Sequence, residues 1–273
     1  MYPARGMVAG KDGMGDPASK LTELNCMRAG SASAAASLPD LSRLEGLGYL
    51  FFPFSQIKVL NTDQDLPGAD PAWHSAHLGR EGWDVLINGT FTYDLPRRYH
   101  SNPVGTVIRN GVLEAVGLDR SAQRGGIAVL SDGSVVIGRS QGTSESEIGA
   151  TYGEGALTVR EFMGGGVQLV EYGQPVPSHD LREVQGFTSG QGGIGATQLQ
   201  QSDHAAVGIR NGQAIAVFAW AKSGRDIRAD LLDIGFSSVV KFAGGSAAFL
   251  KDKKGFHAQG TNSVGFGLRV RRY

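Results

Sequence analysis

The side chains best suited to meet an anion are Arg97, Arg98, His100 and His204, and the turn Gly244-Gly245-Ser246 adds two backbone N–H groups and a hydroxyl. Arg97 and Arg98 form a short basic pair in a loop, where the alternative is ordinary surface charge. The Gly-Gly-Ser run reads equally as a tight turn leaving a strand. Asn88, in LINGTFTYD, ends an apolar strand. A polar group buried there must find partners, so Asn88 serves either as a left-handed turn residue or as a contact to a bound ligand. The carboxylates nearest these groups are Asp84, Asp94 and Asp203. Asp94 closely follows the LINGTF run and Asp203 adjoins His204. Each also reads as a solvated or capping carboxylate.

Other constellations carry less chemistry. His74 and His77 stand three apart in WHSAH, but no Glu completes a zincin arrangement, so no metal is expected. The run GQGGIGATQ, with Gly192, Gly193 and Gly195, lacks the strand-then-helix setting of a dinucleotide fingerprint, and no cofactor is expected. SESE, Ser144 to Glu147, reads as a solvated loop. Cys26 is the single cysteine, which excludes an internal disulfide and a cysteine-based metal cluster.

These groups must be positioned by strands. QIKVLN reads as a strand ending at Asn61, and WDVLING as another broken at Asn88-Gly89. Three hairpins follow: GTVIRNGVLEAVG turning at Asn110-Gly111, GGIAVLSDGSVVIG at Asp132-Gly133, and HAAVGIRNGQAIAVFAWA at Asn211-Gly212. VQLVEYGQPV adds a strand with a turn at Gly173, SSVVKFAGG one that runs into a glycine turn, and NSVGFGLRVRRY a closing strand. In GRDIRADLLDIGF the spacing switches to helical, with Ile227, Leu231 and Ile234 on one face. LGYLFFPF reads as a buried strand or a partner-facing plug. The pattern predicts an α+β fold of antiparallel-rich sheets with a few short helices, as one domain over residues 47–273. Residues 1–46, rich in Gly, Ala and Ser, read as a disordered or weakly helical arm, or as one that docks on a partner subunit or a second copy.

The composition limits the partners. Lys plus Arg and Asp plus Glu both count 26, so there is no surplus cation for sequence-independent nucleic-acid binding. No apolar run approaches the ~18 residues of a membrane span, and MYPARGMVAGKDGMGD has no apolar core of a secretory signal. A soluble protein is expected, cytoplasmic or carried in a virion-like particle. The 41 glycines suit tight turns and backbone that approaches closely.

In order, the motifs resemble the phosphodiester glycosidase family. LINGTFTYD supplies the strand with Asn88, Gly89 and Phe91. Pro103-Val104-Gly105 precedes TVIRNG, and GGIAVLSDGSVVIG and GGGVQLVEYGQ follow. HAAVGIRNGQAIAVF, LLDIGFSSVVKFAGGSAAFL and TNSVGFGLRV complete the set. The resemblance implies a hydrolase that cleaves a sugar-1-phosphate diester at the anomeric carbon. It implies catalytic groups at Asn88, Asp94 and His204, with the phosphate on Arg97, Arg98, His100, Gly244, Gly245 and Ser246. Two positions depart from the family: its acidic residue falls on Ala243 or Phe242, and its Arg on His204, which lacks the bidentate fork. These departures imply an alternative, a relative without catalysis that binds glycan or builds a larger assembly such as a phage virion.

Overall fold

A computed structural model of the chain describes residues 26–30, 41–61, 84–90, 103–117, 122–187, 203–219, 226–244, 248, 250–252, 255–258 and 266–272. It begins with strand β1 (Cys26–Ala29), helix α1 (Leu41–Glu45), and strands β2 (Tyr49–Asn61) and β3 (Val85–Asn88). The hairpins β4 (Val107–Arg109) with β5 (Val112–Ala115) and β6 (Arg124–Leu130) with β7 (Val135–Ser140) come next, then helix α2 (Glu145–Tyr152). Strands β8 (Val159–Glu171) and β9 (Gln174–Pro175) lead to helix α3 (Ser178–Glu183). After β10 (His204–Arg210) and β11 (Gln213–Ala219) come helix α4 (Ile227–Asp233) and β12 (Phe236–Gly244). The last strands are β13 (Leu250–Asp252), β14 (Gly255–Ala258) and β15 (Phe266–Arg272).

The strands form one sheet in the order β1-β7-β6-β8-β12-β10-β11-β2-β15-β3-β13-β14, with β4, β5 and β9 branching from the β8 region. The antiparallel, strand-rich reading therefore holds for the described residues. Two long strands shape it by changing partners midway. The start of β2 pairs with β11 and its end with β15. The start of β8 pairs with β6 and its end with β12. One face of nearly every strand, from Ala29 to Val270, packs into a single apolar cluster. A sheet this long can do that only by curling around the cluster, in the direction strand twist favours. On the outer face, Leu41 and Leu44 of α1, Leu181 of α3, and Ile227 and Leu231 of α4 cover the central strands. Ile148 and Tyr152 of α2 cover β6 and β7.

Turn chemistry explains the hairpins. Asn110 and Gly111 take φ of 53° and 80°, and Asn211 and Gly212 take 50° and 71°, the two positive values a type I′ turn requires. Tyr172 and Gly173 repeat this between β8 and β9. The β6–β7 connection differs: Ser131 to Ser134 form a longer loop, in which the Asp132 carboxylate accepts from the Ser134 amide at 2.9 Å.

Several expectations are revised. Of the two readings of LGYLFFPF the buried strand holds, but it is no separate strand: from Tyr49 it runs on through QIKVLN as β2, with Tyr49, Phe51, Phe52 and Phe54 all buried. Within residues 1–46, Cys26–Ala29 pairs with β7 and α1 packs on β2. Elements of four and five residues are too short to show a period in the sequence. SESE is not a plain loop but the start of α2. Ser144 caps the Glu147 amide at 3.3 Å, and the Glu147 carboxylate accepts back from the Ser144 amide at 3.1 Å, forming a capping box. Ser144→Ala should lower unfolding stability by about 1 kcal/mol in urea titrations; an unchanged midpoint would deny the cap that role.

Candidate functional site

Three of the motifs meet through backbone contacts that only glycine permits. Asn88 ends β3 with 0% of its surface exposed, paired with Gly267 of β15. The Gly89 amide then donates to the Phe266 carbonyl at 3.0 Å. A methyl on Gly89 would lie 2.5 Å from both Met163 Sδ and Phe266 O. One on Gly165 would lie 2.6 Å from Thr90 Oγ1 and 2.5 Å from Gly105 N. One on Gly105 would fall inside the shells of the Gly164 and Gly165 backbone. The Gly164 amide donates to Thr106 O at 2.9 Å. LINGT, PVGT and GGGVQ thus form one junction that fixes the end of β3 and, with it, Asn88.

The other expected pair comes together at the β10–β12 border. His204, 2% exposed, opens β10 and pairs with Gly244 on one side and Ala219 on the other. A methyl on Gly244 would lie 2.7 Å from Asp203 O, 3.2 Å from Lys241 Nζ and 3.4 Å from His204 Nδ1. Lys241 was not singled out by sequence, although a lysine between Val240 and Phe242 in an apolar strand was the available signal. It is 0% exposed, and burial pushes its ammonium pKa down to about 7. Strand alternation separates it from Phe242, which faces the main core and is itself fully buried. A carboxylate at the Phe242 position would therefore point into apolar packing.

His204, Ala219 and Tyr49 stand in one row across β10, β11 and β2. The Tyr49 hydroxyl donates to Asp230 Oδ2 at 2.6 Å, placing a buried carboxylate of α4 on this side of the sheet. Asp84 lies at the other end of β3 from Asn88, where its carboxylate accepts from the Arg272 amide at 2.9 Å. Its role there is to fasten the end of β15. Asp94, Arg97, Arg98, His100, Gly245 and Ser246 lie outside the described residues, as do His74, His77, Gly192, Gly193 and Gly195.

A second cation borders the glycine junction. Arg124, buried at the start of β6, lines a narrow cavity of about 20 Å³ with Thr106, Ser140, Gly142 and Gly165. That is room for about one water. Its guanidinium lies 4.4 Å from the Phe187 ring centroid and donates to Gly186 O at 3.3 Å. Beside it opens a shallow depression of about 310 Å³ between Gln123, Arg139 and Thr151. Arg139 there is held by the Glu171 and Asp180 carboxylates. Among the described residues no group of three or more His, Cys, Asp or Glu forms a metal-binding cluster.

No protein-family model and no curated protein matches the sequence. Solved structures do. The chain is similar to the catalytic domain of zebrafish N-acetylglucosamine-1-phosphodiester alpha-N-acetylglucosaminidase, in a form auto-inhibited by its pro-peptide. The TM-score is 0.60 at 14% identity, over 92% of this chain and 89% of that one. A hypothetical protein from Synechocystis matches at a TM-score of 0.44 and 14% identity, over 82% of this chain and 57% of that one. At these identities the likeness is one of fold.

Proposed function

We propose that this chain acts on glycosyl phosphodiesters, hydrolysing the bond between the sugar's anomeric carbon and the phosphodiester oxygen. The observation that carries this is the meeting of distant motifs. LINGT, PVGT and GGGVQ join at one backbone junction, and His204 and Gly244 face each other at a neighbouring strand end. The fold is similar to that of an enzyme named for this chemistry. In the reaction, water adds at the anomeric carbon as the C–O bond breaks and a phosphomonoester leaves, a group that needs little protonation. Asn88 orients the sugar hydroxyls. His204, the N–H groups of Gly244 and Gly245, and Ser246 hold the phosphate, joined by Arg97, Arg98 and His100. Asp94 supplies the carboxylate that meets the oxocarbenium-like transition state.

A second reading, ligand binding without turnover, is favoured by one observation. Of the two positions onto which the family's acid falls, Ala243 has no functional side chain and Phe242 lies in the core. Incubation with UDP-N-acetylglucosamine separates the two. Sugar release that falls about 10²- to 10³-fold in His204→Ala, the loss of one donor to the leaving phosphate, supports hydrolysis. Calorimetric binding without release selects the second reading, and neither binding nor release overturns both.

A further inference from the structure

Lys241 is the buried lysine among the described residues. Its location is not an accident of packing in an apolar strand. In the β10–β12 ladder it pairs with Ala206, while His204, two residues before Ala206, pairs with Gly244. Three residues of β12 thus span what two residues of β10 span, which is a bulge. Lys241 lies opposite Ala206 in regular register, so strand alternation puts it on the face of His204, and the bulge then sets Gly244 beside them both. Its Nζ and His204 Nδ1 then lie 3.2 and 3.4 Å from the same point at Gly244, where a side chain is absent. Two basic nitrogens converge on a gap at a strand end, in a low-dielectric setting that strengthens their pull on an anion.

We infer that Lys241 is an anion-binding residue whose ammonium, together with His204, holds the phosphate of the ligand at the Gly244 strand end. The choice of a sugar phosphate as that ligand rests on the glycosyl phosphodiester reading above. The consequence for specificity is that the site selects ligands by their phosphate charge, so a neutral sugar gains nothing from this pair. Among the described residues, the titratable groups on this side include Tyr49 of β2 and Asp230 of α4, which bond to each other, Arg210 at the far end of β10, which donates to Ile234 O at 2.5 Å, and Asp203, whose carbonyl borders Gly244. Because burial holds Lys241 near 7, its charge fades as pH rises through neutrality. Anion affinity should fade with it.

The test is calorimetry on the full chain with UDP-N-acetylglucosamine, whose diphosphate diester charge is constant from pH 6 to 8.5, and with N-acetylglucosamine as the neutral control. The parent should bind UDP-N-acetylglucosamine more weakly at pH 8.5 than at pH 6. Lys241→Met should bind it about ten- to a hundredfold more weakly at pH 6, the loss of one charge-assisted contact, with a flatter pH profile. Lys241→Gln, which keeps a donor but no charge, should behave as Met does and serves if Met fails to unfold cooperatively. Affinity for N-acetylglucosamine should not move. Variants that bind UDP-N-acetylglucosamine as tightly as the parent at both pH values overturn the inference and leave the glycosyl phosphodiester reading standing. A parent that binds neither ligand overturns that reading and this inference with it.

Discussion

Lys241→Met should unfold at a higher temperature than the parent chain and should lose a rise in stability that the parent shows between pH 7 and 9. Taking an ammonium out of water into an apolar sheet opposes folding, and a methionine of similar length removes that opposition. The lysine's pKa falls from 10.5 in the open chain to about 7 in the fold. Between those values the unfolded chain holds a proton that the folded chain has released. Stability must therefore rise with pH across that window and be lowest at or below pH 7. At 1.36 kcal/mol per pH unit the gain from pH 7 to 9 is about 2–3 kcal/mol. Above pH 9 Cys26 works in the opposite direction. Burial pushes its thiol pKa from 9.0 to about 12, so the unfolded thiol ionises first and stability falls with pH. The two slopes offset each other up to the lysine's open-chain value. The raised pKa of buried Tyr152 adds to the decline beyond it. Urea midpoints measured from pH 6 to 11 should climb, level and fall in the parent. In Lys241→Met they should be higher at pH 7 and flat to pH 9. A variant less stable than the parent at pH 7 would show that the ammonium is fully compensated where it lies.

What the sequence made legible was local. Asn-Gly pairs fixed two type I′ hairpins because backbone geometry at two residues suffices to set them. Helical spacing placed Ile227 and Leu231 on the buried face of α4. His204 and Gly244 were named as candidates, and they turn out to be ladder partners. What stayed hidden was non-local. Nothing in YLFFPFSQIKVLN tells that one strand serves β11 with its first half and β15 with its second, since register depends on partners far away in the chain. Lys241 was missed because a lysine in a strand reads as a solvent-facing residue. Only the central place of β12 between β8 and β10, and the cover supplied by the helices on that face, make it interior. Arg124 was missed for the same reason, its burial depending on Phe187 and Gly186 some sixty residues on. The Gly164-Gly165-Gly166 run was visible as a strand entry, but not the chain it would press against.

That contact sets the second large effect. Gly105→Ala should destabilise the fold by about 3 kcal/mol or more, the range where overpacking against an unyielding wall lies. The added methyl would enter the shells of Gly164 and Gly165 backbone atoms. Unlike a side-chain tip, that backbone cannot swing aside, because β8 is pinned by β6 along one edge and by β4 along the other, and its following residues by β12. Relief must come from separating Val104–Thr106 from β8, which also releases the wall behind Thr90 and the end of β3. Stability and ligand binding should therefore fall together, with Asn88 displaced even though the substitution does not touch it. Gly149→Ala is the matched control. Its new methyl meets nothing within 4 Å, and it lies in helix α2, where alanine is favoured over glycine by about 1 kcal/mol. Thermal unfolding should thus move in opposite directions for two identical chemical changes. A Gly105→Ala protein within 1 kcal/mol of the parent that still binds ligand would show that the junction yields and does not position Asn88.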